Sequence, residues 1–117
     1  MAYSPLAFGQ LSAKYLDDPK ARGRLTLFPP TWSPRYLRPG VLSAVKEYAA
    51  LARSNGMTPA QMALAWCYSR WFVASTIIGS TTMAQLKENI GAAETTLSAE
   101  VVSAIDAIHT RITNPGQ

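Results

Sequence analysis

Val73-Ala74-Ser75-Thr76-Ile77-Ile78-Gly79-Ser80-Thr81-Thr82-Met83-Ala84-Gln85-Leu86-Lys87-Glu88-Asn89 is the stretch on which the reading of this chain turns. Its first six residues are mostly apolar and β-branched without in–out alternation, the pattern of a short parallel strand covered on both faces. A glycine and hydroxyl residues follow, then helix-forming sequence. Such a passage offers unpaired backbone N–H groups and the positive end of a helix dipole to an anion. Gln85, Glu88 and Asn89 stand three and four positions apart, so one helix face can carry all of them beside a phosphate. The same residues also fit an ordinary strand-to-helix turn with Thr81 or Thr82 as N-cap.

Upstream, Thr58-Pro59 reads as an N-cap followed by proline at the first helical position. The helix it opens, about Pro59–Arg70, is apolar around most of its circumference and is expected to be deeply buried. Before it, Val41, Val45, Tyr48 and Ala52 recur at helical spacing until Asn55-Gly56 supplies a stop. Downstream, a helix from about Met83 to Ala92 is followed by a last one. Ser98 caps that helix, Val101, Ile105, Ile108 and Ile112 form its apolar stripe, and His109 is a helix-end residue rather than a catalyst.

The N-terminal third differs. Met1–Ser4 resembles the tail of a strand stopped by Pro5, and Asp17–Pro39 is long and proline-rich, so it is expected to be irregular. Loops of that length in compact domains are usually functional or mobile. The order is strand, long loop, two helices, strand, two helices, which is α/β with parallel neighbours.

Charge is uneven in the same way. The net +4 of the 117 residues comes wholly from residues 1–45, where Lys14, Lys20, Arg22, Arg24, Arg35 and Arg38 face only Asp17 and Asp18. That excess fits either a solvated basic loop or an anion-binding one. A hydrophobic fraction of 48% with 15% charged residues belongs to a core-forming chain. No apolar run reaches the roughly 20 residues of a membrane helix, and no secretory pattern is visible at the start, so a cytoplasmic location is expected. Cys67 is alone, which excludes an internal disulfide and a cysteine-based zinc cluster, and it is expected to be a buried core thiol.

Three blocks carry a family resemblance. Tyr3-Ser4-Pro5-Leu6-Ala7-Phe8-Gly9-Gln10-Leu11-Ser12-Ala13-Lys14-Tyr15 resembles the segment after the seventh strand of aldo-keto reductases. Thr58-Pro59-Ala60-Gln61-Met62-Ala63-Leu64-Ala65-Trp66 is similar to their helix before the eighth strand. Ile77-Ile78-Gly79-Ser80-Thr81 through Gln85-Leu86-Lys87-Glu88-Asn89-Ile90 is similar to their adenosine-phosphate loop and the helix after it. The wording is closest to bacterial members related to potassium-channel β-subunits.

The resemblance implies a C-terminal fragment, over residues 1–117, of a (β/α)8 barrel that binds NADP(H) across the C-terminal ends of its strands. Ser4, Pro5, Leu6 and Ala7 would line the nicotinamide and pyrophosphate. Lys14 would approach the pyrophosphate, and Arg24 would lie near the adenosine end. Gly79, Ser80 and Thr81 would cradle the 2′-phosphate, with Gln85, Glu88 and Asn89 around the adenosine. Ala13 departs from the glycine of many relatives, which bears on the backbone there.

The family's catalytic Asp, Tyr, Lys and His set, carried on the first strands, has no counterpart in this sequence. The whole barrel typically takes about 250 residues. The chain is therefore expected to supply a cofactor half-site to hydride transfer between NADPH and an aldehyde or ketone, to be inactive alone, and to associate with the remaining barrel or with itself. Two other readings stay open. One is a non-catalytic NADP(H)-sensing or interaction module. The other is a basic helix-turn-helix nucleic-acid binder, against which the apolar body of Pro59–Arg70 argues.

Overall fold

A computed structural model describes residues 1–116. Its four longer helices are α1 (Pro39–Ser54), α2 (Pro59–Tyr68), α3 (Met83–Gly91) and α4 (Ala99–Arg111). Their ends follow from local chemistry. Pro39 and Pro59 occupy first-turn positions, and Gly56 at φ +70° turns the chain after α1. Thr58 and Gln61 form a reciprocal capping box, the Gln61 amide donating to the Thr58 hydroxyl at 3.1 Å and the Thr58 amide to Gln61 Oε1 at 2.9 Å. Thr82 caps α3 and Ser98 caps α4 by the hydroxyl alone, accepting from the Gln85 and Val101 amides.

Helices α1, α2 and α4 enclose the core. Ala52, Met62, Val101 and Ile105 meet there, with Tyr48, Leu51, Met57, Trp66 and Leu97 packed around them. Leu64 is fully buried, and the expected stripe of α4 is confirmed at Val101, Ile105 and Ile108, with Ile112 half-buried at its end. Along α1, Leu42 faces solvent.

Three expectations need correction. The two strands reduce, among the described residues, to one parallel bridge between Ala2 and Thr76, made by the Ala2 amide to Ser75 O (2.8 Å) and the Ile77 amide to Ala2 O (2.9 Å). The direction is as expected, but a lone pair of extended segments has no further neighbour to extend the ladder. The α2 helix ends at Tyr68, and its second half is less enclosed than its composition suggests, Trp66 and Cys67 being half-buried. Burial still raises the Cys67 thiol pKa, against a lowering from the Arg70 guanidinium. The 17–39 segment is not wholly irregular, since helical turns form at Arg24–Leu27, Pro30–Trp32 and Pro34–Leu37.

The chain is as compact as its length requires but exposes more surface than its mass does. The radius of gyration is 13.6 Å, beside about 13.4 Å for a globule of this length. The accessible surface is 7395 Å², beside about 6,200 Å² for a monomer of this mass. Much of the apolar excess lies at the bridged edge, where Met1, Tyr3, Trp71, Phe72 and Ile77 are exposed. Among the described residues no helix is long and apolar enough to cross a membrane, and no His/Cys/Asp/Glu cluster could hold a metal ion.

Candidate nucleotide half-site

The parallel bridge decides where the two loop regions go. Parallel partners run the same way, so the chain leaves Ala2 toward Ser4–Ala7 and leaves Thr76 toward Gly79–Thr81 at one and the same end. The carboxyl ends of parallel strands are where α/β folds place ligands.

Around Gly79 the polar residues of α3 build the loop itself. Gln85 Oε1 accepts from the Thr81 amide at 2.8 Å and the Thr81 hydroxyl at 3.1 Å, while the Gln85 amide donates to the Thr82 hydroxyl at 3.2 Å. Asn89 is 2% exposed. Its Nδ2 donates to Gly79 O at 3.3 Å, and its own carbonyl accepts from the Tyr68 hydroxyl at 3.1 Å. Glu88 turns the other way and accepts the Thr58 hydroxyl at 2.5 Å. Side chains that share one helix face thus fix the loop to the helix and the helix to α2.

The result is a pre-shaped turn whose exposed amides at Ser80, Met83 and Ala84 have no partner among the described residues. A Cβ built on Gly79 would meet nothing within 4 Å, so the space before the loop is open. Open space, free amides and a helix N-terminus fit a phosphate.

The cations of the N-terminal loop are held less firmly. Lys14 Nζ donates to Arg22 O at 3.4 Å and lies 4.9 Å from the Tyr15 ring centroid. Gly23 permits this packing: a Cβ there would stand 2.3 Å from both Lys14 Nζ and the Tyr15 hydroxyl. The Arg24 guanidinium lies 5.1 Å from the Phe8 ring. Phe8 in turn stacks on Tyr36 at 4.8 Å, and Arg35 lies 4.7 Å from the Tyr36 ring. Cation–π contact holds these guanidinium groups without neutralising them. Ala13 is fully buried at φ +62°, so the position where relatives favour glycine does need a left-handed backbone.

Three of the sequence-derived residues line two separate depressions, whereas Lys14, Arg24 and the Gly79–Thr81 loop line neither. Ser4 and Ala7 line one of about 380 Å³ with Tyr3, Arg35, Tyr36, Asn114 and Gly116. Glu88 lines the other, about 540 Å³, with Ser12, Asp17, Arg53 and Thr58 among its neighbours. Pro5 and Leu6 are half-buried between the bridge and the first helical turn. Arg35, Tyr36 and Asn114 were not singled out by motif, because only the fold brings residue 114 to residue 4. The basic bias of the N-terminal third was the one signal that included Arg35.

Residues 1–110 match the profile of the Aldo/keto reductase family. The chain belongs to that family. It is 46% identical over 116 residues to Protein tas of Escherichia coli (strain K12), covering 98% of this chain and 33% of that protein. It is 42% identical over 93 residues to a protein named Aldo-keto reductase from Babesia bovis, covering 77% of this chain and 32% of that one. The chain thus spans about a third of the length of the curated relatives it matches. The family is one of oxidoreductases with a (β/α)8 barrel fold, and the three motif blocks all fall within the matched residues.

Proposed function

We propose that residues 1–117 form the C-terminal, cofactor-side part of an NADP(H)-dependent aldo-keto reductase, contributing the last two strands of the barrel and their helices. The whole enzyme would transfer hydride between NADPH and an aldehyde or ketone, with the Asp, Tyr, Lys and His set supplied by the part of the barrel that precedes these strands. Within this chain Gly79, Ser80 and Thr81 would receive the 2′-phosphate through backbone and hydroxyl donors. Lys14 and Arg24 would approach the pyrophosphate and adenosine, and Ser4, Pro5, Leu6 and Ala7 would face the nicotinamide end.

The single observation that carries this reading is the parallel Ala2–Thr76 bridge, which sends both motif loops to one edge. The surplus surface and the exposed Trp71, Phe72 and Ile77 support association with the remaining barrel, or with a second copy, through the same edge. Gln85, Glu88 and Asn89 then act on the adenosine side chiefly by shaping the loop, which alters how they should be tested. Asn89→Ala would remove a buried partner of Gly79 O and disturb the fold with the site.

The test is titration of the purified chain with NADPH and NADH, followed by nicotinamide fluorescence at two salt concentrations. NADPH is expected to bind about tenfold or more tightly than NADH, since the extra phosphate gains charge-assisted hydrogen bonds. High salt is expected to narrow that difference, whereas Lys14→Met, acting at the pyrophosphate that both nucleotides share, is expected to weaken both. Equal affinity for the two nucleotides would remove the 2′-phosphate assignment from Gly79–Thr81. Turnover on adding the remaining barrel would separate an enzyme half from a sensor.

A further inference from the structure

Backbone strain in this chain is concentrated at one place. Among the described residues five that are not glycine have positive φ: Ser4, Ala7, Phe8, Ala13 and Asn114. Three of them, Ser4 (φ 51°), Ala7 (φ 48°) and Asn114 (φ 46°), line the same depression of about 380 Å³. Left-handed conformations at such residues cost about 1–3 kcal/mol each and gather where a ligand is clamped.

Among the described residues the lining is rich in donors and includes no Asp or Glu: Tyr3, Ser4, Arg35, Tyr36 and Asn114 supply its polar side chains. Arg35 Nη2 donates to the Tyr36 hydroxyl at 2.8 Å, which leaves that hydroxyl's own proton free to donate onward. Both ion pairs among the described residues, Arg53–Asp17 and Arg111–Glu47, lie elsewhere. The phenols of Tyr3 and then Tyr36 hold the Arg35 pKa above its ordinary value, so the cation is permanent. A planar guanidinium flanked by hydroxyl and amide donors matches a carboxylate in shape and charge.

We infer that Arg35, with Tyr3, Tyr36 and Asn114, forms a carboxylate subsite beside Ser4, and that the carbonyl compound reduced or oxidised by the complete enzyme carries a carboxylate group. The placement beside the nicotinamide rests on the cofactor reading above; the subsite itself rests on the strained, donor-lined depression. Its volume of about 380 Å³ lies at the low end of ligand pockets.

The experiment titrates the full chain with succinate, with its neutral counterpart succinamide and with inorganic phosphate, following amide shifts by NMR. NADPH titration is run in parallel on the wild type and on Arg35→Met. Arg35 is exposed, so the variant is expected to keep the wild-type circular dichroism spectrum, and Tyr36→Phe serves as a second, milder change. The expected result is succinate binding that shifts residues 3–7 and 114, weakens about fivefold or more in Arg35→Met, and is absent for succinamide. NADPH affinity is expected to stay within about twofold.

Absence of succinate binding to a chain that still binds NADPH overturns the subsite and leaves the cofactor reading standing. Succinate binding by a chain that ignores NADPH supports the subsite and removes the cofactor reading. Loss of NADPH affinity in Arg35→Met, or phosphate that displaces NADPH from the same residues, assigns the guanidinium to the cofactor's pyrophosphate and overturns the proposal.

Discussion

Leu64 is sealed inside the helical layer, whereas Trp71, one turn beyond the end of the same helix, is 93% exposed. The contrast extends to everything around them. Helices α1, α2 and α4 close on one another through small and branched side chains, with side-chain caps at the N-termini of α2 and α4. The bridged edge has one pair of backbone hydrogen bonds, an exposed row of large apolar side chains and most of the strained backbone. The layer stabilises the fold, and the edge is where surface and strain are left available for something else to bind. The Escherichia coli relative that this chain matches is about three times as long.

The largest expected effect tests that division directly. Leu64→Ala removes a buried side chain from a site with little room to collapse and should destabilise the chain by about 2–5 kcal/mol in urea unfolding. Trp71→Ala, measured at a concentration where the chain is monomeric, should change stability by less than about 0.5 kcal/mol. Similar losses at the two positions would show that the edge belongs to the core after all. If Trp71→Ala instead lowers self-association while leaving the midpoint alone, the edge is a docking surface.

A smaller effect probes one of the struts between the regions. Thr58 caps α2 and gives its hydroxyl proton to Glu88 of α3, so it ties the helical layer to the loop that begins at Gly79. Thr58→Ala should cost about 1–2 kcal/mol, more than a cap alone, and Thr58→Ser should restore most of it. Glu88→Gln should cost less, because the cap survives. A Thr58→Ala loss confined to helix content, with Gly79–Thr81 amide shifts unmoved, would show that the strut does not shape the loop.

How far the sequence could be read divides along the same line. Helix starts were legible because Thr58-Pro59 and Ser98 act within a few residues of themselves, and the α4 stripe because its period is local. The apolar run Val73–Ile78 was over-read as a strand: composition reports a tendency to pair, but pairing needs neighbours that this chain does not provide. Ala13 was flagged by its departure from glycine, and its φ of +62° bears out the constraint. The donor-lined depression was not legible at all. Tyr3, Arg35 and Asn114 are separated by most of the chain, and no local pattern announces that α4 returns the C-terminal residues to the first ones. Gln85 and Asn89 were legible as polar and co-facial but not as loop builders, since spacing does not say whether a side chain turns toward ligand or toward its own backbone.

The smallest effect is electrostatic and belongs to the helical layer alone. Glu100 lies in the first turn of α4, where its own backbone amide and then the Ser98 hydroxyl hold its carboxyl pKa below the ordinary value of 4.5. A carboxylate with a depressed folded-state pKa releases its proton more readily in the folded chain than in the unfolded one. Its contribution is therefore complete above about pH 4.5 and is lost as pH falls through the lower folded value. Glu100→Gln should flatten that acid limb slightly while leaving stability near neutrality almost unchanged, as expected for a fully exposed group at a helix N-terminus. Unfolding midpoints at pH 7 and pH 3.5 measure it. An acid limb that survives the substitution undiminished would show that the cap of α4 does not set it.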